Sequence, residues 1–119
     1  MEPIITITTT ADDREALEKI GRHLLNRRLI ACIQIVGPIK SIYWWKNKME
    51  ETSEWLGIMK SKESLYAQVE AEIGLLHPYE VPQIVASEVC HVLPSYGQWV
   101  LTETGGCSEG VQNDRGAVS

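Results

Sequence analysis

Residues 29–60 read as two long β-strands folded about one tight turn, and that pair limits the possible folds more than any other stretch. From Leu29 the period is two: Leu29, Ala31, Ile33 and Ile35 point one way, and Ile30, Cys32, Gln34 and Val36 the other. Gly37-Pro38 interrupts the run, which predicts an edge, a bend or a bulge. The strand resumes through Ile39, Ile42, Tyr43, Trp44 and Trp45. Lys46-Asn47-Lys48 supplies a polar turn in which Asn47 can accept positive φ, and a return strand runs from Met49 to Lys60. Each run is about twice the usual strand length of roughly 5 to 6 residues. Large apolar residues lie on both faces near the turn. One helical layer covers one face of a sheet, so the rest of this surface needs a partner; bare, it would aggregate. Self-association is expected.

The remaining elements flank this hairpin. Ile4 to Thr10 is rich in β-branched residues and reads as a strand. Asp12 can cap a helix over 13–27, with Glu15 reaching back to it and Leu17, Ile20 and Leu24 at helical spacing. His23 lies in that helix without a second metal ligand on a neighbouring turn. Ser61 is expected to cap a second helix with a stripe of Leu65, Val69, Ile73 and Leu76. Residues 83–92 read as a fourth strand, and Pro94-Ser95 opens a short helix holding Tyr96, Trp99 and Val100. The order strand-helix-strand, strand-helix-strand is the split βαβ of an α+β, ferredoxin-like fold. It predicts a four-stranded antiparallel sheet with two helices on one face, plus a short C-terminal helix. One domain over residues 1–103 is expected, followed by a flexible polar tail over 104–119.

Charge and composition narrow the function. Sixteen acidic residues stand against 11 basic ones, a net charge of -5 with no basic run, which disfavours nucleic acid. No apolar stretch is long enough to span a bilayer and no signal-peptide pattern opens the chain, so a cytoplasmic protein is expected. Cys32, Cys90 and Cys107 are too widely spaced for a disulfide framework or a zinc site. There is no phosphate-binding glycine loop, nucleophile elbow or HExxH pair, so no catalytic residues are assigned and no enzyme is expected.

One stretch does concentrate chemistry: His77-Pro78-Tyr79-Glu80-Val81-Pro82. Its two prolines stiffen a joint between a helix and a strand, presenting an imidazole, a phenol and a carboxylate from non-helical backbone. His77 and Glu80 are the candidate metal ligands. Lys60, Tyr79, Trp45 and Glu50 are the candidate lining of a binding cleft, which could take a metal or an anion.

The assembled pattern resembles the CutA family, the divalent-cation tolerance proteins. The resemblance is carried by Ala31-Cys32-Ile33-Gln34-Ile35, Ser41-Ile42-Tyr43-Trp44-Trp45, Met49-Glu50-Glu51, Met59-Lys60-Ser61 and the run from His77 to Pro82, with Tyr96 and Trp99 behind them. It spans about residues 3–102. It implies a ferredoxin-like subunit in a homotrimer built by pairing of the long strands, like the PII signalling proteins, with a link to tolerance of copper or another divalent cation. Copper ligands proposed in some bacterial members fall here on Thr8 and Leu76, leaving His77 alone. The alternative reading is a PII-like signalling or adaptor module for a small anion or a partner protein.

Overall fold

The computed structural model describes residues 1–105. Its elements are β1 (Ile4–Ala11), α1 (Arg14–Asn26), β2 (Cys32–Trp45), β3 (Lys48–Lys62), a single 3-10 turn at Glu63–Leu65, α2 (Tyr66–Leu76), β4 (Val85–Glu88) and α3 (Pro94–Glu103). The strands form one antiparallel sheet in the order β2-β3-β1-β4, the ferredoxin-like arrangement expected from the order of elements. Ile5 and Ile7 of β1 and Met59 of β3 point to one face, where Ile20 and Leu24 of α1 and Val69 and Ile73 of α2 close a dry core. α1 lies so near β2 that a Cβ on Gly21 would sit 2.8 Å from the Ile33 side chain. Across the top of the two helices, His23 Nε2 lies 2.6 Å from Glu72 Oε1, and Arg27 Nη1 approaches the same oxygen at 3.1 Å. The contact to His23, and after it the Arg27 charge, holds the Glu72 carboxyl below its ordinary range.

α3 packs on the opposite face, at one end. Ile4 alternates with Ile5 and so points away from the two long helices, yet it is buried. Its cover comes from α3, whose Tyr96 hydroxyl lies 3.8 Å from Cys32 Sγ. Burial, then the neighbouring thiol, pushes the Tyr96 hydroxyl up to about 12. Thr104 and Gly105, which the sequence places at the start of a tail, are tied down: Thr104 Oγ1 donates to Val100 O at 2.8 Å and Gly105 N–H to Arg28 O at 2.9 Å. The rest of the expected tail, with Cys107, lies outside the described residues.

The hairpin is longer than the rest of the sheet. β1 stops at Ala11 opposite Trp55, so Ile39–Trp45 and Lys48–Glu54 pair only with each other and project as a two-stranded arm. The molecule is accordingly elongated, 49 × 27 × 26 Å. Trp45 faces Lys48 across a two-residue turn in which Lys46 and Asn47 both have positive φ, at 50° and 66°, as a type I′ hairpin demands. The expected irregularity at Gly37-Pro38 is a bulge between Val36 and Ile39.

Three sequence expectations are corrected. Asp13, not Asp12, caps α1, its carboxylate accepting from Glu15 N–H at 3.1 Å. Ser61 does not cap α2: it is the penultimate residue of β3, fully buried, and its Oγ donates to Leu29 O at 2.7 Å. The α2 approach is instead secured by Glu2, whose carboxylate accepts from Ser64 N–H at 2.7 Å. β4 covers Val85–Glu88 rather than 83–92, pairing with Ile5–Thr8 of β1. The last bond beyond the ladder, Val89 N–H to Ile4 O at 2.9 Å, comes where β1 gives way to Pro3, which has no N–H to continue it.

Ser61→Ala should lower stability by about 1–2 kcal/mol, because the Leu29 carbonyl would stay buried without its donor. A urea unfolding curve with a lower midpoint and an unchanged slope is the expected result.

Candidate ligand groove beside the hairpin arm

α2 ends where its sequence requires. His77 is its C-cap, with ψ of 138°, and its N–H still bonds Ile73 O at 2.8 Å. Pro78 then holds the chain away from helix. The His77 ring is buried, with Nε2 2.8 Å from Thr10 O and Nδ1 3.1 Å from Tyr79 N. A carbonyl can only accept and an amide N–H can only donate, so the ring carries its proton on Nε2 and offers its one lone pair to Tyr79. In this arrangement the imidazole ties α2 to β1 and aims the next residue, with no lone pair left over for a metal.

That next residue is Tyr79. Its ring meets the edge of His77 at 4.8 Å between centroids, and its hydroxyl donates to Glu54 Oε2 at 2.6 Å. Glu54, on β3 at the root of the arm, is only 5% exposed. Burial raises the Tyr79 hydroxyl well above its ordinary range, and the bond to Glu54 and its charge add to this, with Asp12 and Tyr43 behind. A groove of about 700 Å³ opens above this pair. Tyr43 and Trp45 of the arm and Tyr79 give it aromatic walls, and Glu54 and Glu80 give it two carboxylates. Among the described residues, no Lys or Arg lines it.

The structure therefore divides the residues picked out in the sequence. Trp45, Tyr79 and Glu80 line the groove, with Glu80 exposed at the rim. His77 lies beneath Tyr79. Glu50 pairs with Tyr43 on the arm without lining the groove. Lys60 is on the same strand as Glu54 but six positions away, roughly 20 Å at ~3.3 Å per residue, where its ammonium lies 3.5 Å from Gln34 Oε1. Within one chain Lys60 and the groove do not meet. Among the described residues, no three His, Cys, Asp or Glu side chains converge as a metal cluster would. Glu54 was missed in the sequence, although period two places it with Leu56 and Ile58, an unusual position for a charge without a partner.

A single sheet, two helices on one face and a long projecting hairpin define a ferredoxin-like domain with a groove at the root of its arm. The family profile described as CutA1 divalent ion tolerance protein matches residues 5–103, and the chain belongs to that family. Among its relatives, the divalent-cation tolerance protein CutA of Pyrococcus horikoshii is 39% identical over 85% of this chain and 98% of its own. That of Thermotoga maritima is 40% identical over 82% of this chain and 94% of its own. The crystal structure of CutA1 from Oryza sativa superposes with a TM-score of 0.84 at 30% identity, over 87% of this chain and 95% of that one.

Tyr79→Phe should destabilise the fold by about 1–3 kcal/mol, since it leaves the buried Glu54 carboxylate without its donor; adding Glu54→Gln should recover part of the loss. The pair also sets an alkaline limit. A phenol whose folded value is raised holds its proton more tightly when folded, so its contribution is whole below the unfolded value of ~10 and falls as pH rises beyond it. Denaturation curves of the parent should weaken above that pH, and Tyr79→Phe should weaken less steeply.

Proposed function

We propose that this protein acts without catalysis in divalent-cation tolerance, as a homotrimer held together through its hairpin arms, with copper the metal concerned. The observation that carries the assembly is the bare arm: Trp44 is 70% exposed, Met49 65% and Ile42 59%. Trp44 and Met49 are directly opposite on the ladder and so form one continuous apolar face that a second copy can cover. The family supplies the link to divalent ions. The groove supports a cationic ligand over the anionic one of the alternative reading, because its charged lining groups among the described residues are carboxylates. One chain's described residues do not make a copper site, so the metal reading calls for donors from a neighbouring copy. The cytoplasm is the compartment we propose, to be checked by fractionation.

Light scattering should give three times the chain mass at micromolar concentration, and Trp44→Glu should lower it by burying a charge in the contact. A parent that stays monomeric would defeat the assembly. For the metal, calorimetric titration with copper should show binding that Glu80→Gln weakens, whereas His77→Ala should act on folding rather than on binding. Copper binding untouched by Glu80→Gln would move the metal away from this groove.

A further inference from the structure

We propose that the groove beside the hairpin arm is filled, in the assembly, by the arm tip of the next copy of this chain, whose Lys46 and Lys48 meet the carboxylates of Glu54 and Glu80. The inference rests on the reading that the arms hold the copies together, names what each arm grips, and is independent of the metal. The tip carries two ammonium groups on exposed residues, with no acidic side chain between Ile42 and Met49. Lys48 is directly opposite Trp45 on the ladder, and the Lys46 ammonium is 5.5 Å from the Trp45 ring centroid, so the tip presents an indole with two cations beside it. Among the described residues neither lysine has an ion-pair partner. The groove is the converse, with aromatic walls, two carboxylates and, among the described residues, no Lys or Arg.

These complementary parts cannot meet within one chain. Lys48 and Glu54 are six positions apart on one strand, roughly 20 Å at ~3.3 Å per residue, and a paired ribbon does not fold back on its own root. A second copy brings them together. Glu54 is 5% exposed and takes the Tyr79 proton at 2.6 Å, so its charge is fixed at the groove floor, and no ion pair neutralises it among the described residues. A lysine arriving as the groove closes supplies the counter-charge where water is excluded and an unpaired carboxylate is most costly. Glu80, exposed at the rim, steers the tip in. Seating the tip also takes Trp44 and Met49, on its other face, out of water. The contact is heterologous, tip of one copy to root of the next, and such contacts close into a ring in which every chain both grips and is gripped.

Carbodiimide coupling, which joins a lysine amine directly to a carboxylate in contact with it, tests this on an equal mixture of unlabelled and isotope-labelled chains refolded together. Mass spectrometry should find the tip peptide joined to the peptide holding Glu80, one partner labelled and the other not. Lys48→Glu should raise the Kd of the assembly roughly tenfold or more in a light-scattering dilution series, and so should Glu80→Lys. Both residues are exposed, so the fold is spared. Combining the two restores opposite charges across the contact and should recover part of the loss. Lys19→Glu, the same charge change on the exposed face of α1, should leave the Kd unmoved. A monomeric parent would overturn this inference and the assembly reading together. A parent that assembles, but whose mixed-label cross-links join the tip to other carboxylates, whose Kd ignores both reversals, or whose double variant recovers nothing, would overturn this contact alone.

Discussion

Between Trp55 and Lys62, β3 has β1 on one side and β2 on the other along most of its length; between Lys48 and Glu54 it has β2 alone. The change falls where β1 ends at Ala11, and the architecture follows from it. Where β3 is flanked on both edges, the sheet is wide enough for two helices and the core is dry. Where it is flanked on one, the ribbon has no helical layer to cover either face, and its tryptophans stand in solvent. The groove forms at that boundary, since only there can a buried strand residue, Glu54, meet both the arm and the segment leaving α2.

How much of this the chain discloses depends on the range of the interactions. Period two and turn chemistry are local, so the long strands, the Lys46-Asn47 turn and the Gly37-Pro38 irregularity were legible. Ser61 was misread because Ser before a helix is a local cap signal, whereas its actual partner, Leu29 O, is 32 positions away. β4 is shorter at its C-terminal end than its run of β-branched residues suggests, because beyond Glu88 its neighbour β1 is down to Ile4.

The groove shows the same division. Tyr79 and Glu80 could be picked out because prolines bracket them. Glu54 could not be matched to them, since 25 residues separate it from Tyr79 and nothing in either segment names the other. The proline-stiffened joint offers His77 as a candidate ligand. Its environment instead gives each ring nitrogen a backbone partner, making it the brace of Tyr79. Lys60 is kept from the groove of its own chain by the length of the strand between them.

The bulge at Gly37-Pro38 carries a consequence of its own. Below it, Val36 faces Leu56; above it, Ile39 faces Glu54, so two residues of β2 are passed for one of β3. Even-numbered positions of β2 share a side with even-numbered positions of β3 in the body, and odd-numbered ones do so in the arm. The bulge is thus a half-cycle phase shift written into one strand. It lets Tyr43 and Trp45 fall on the side of Glu54 while Cys32 and Gln34 keep the side of Lys60. A chain lacking one of these two residues would have nothing to bulge: Val36 would still face Leu56 and Ile39 Glu54, with one residue opposite Trp55, and the arm would lose only the bend between them.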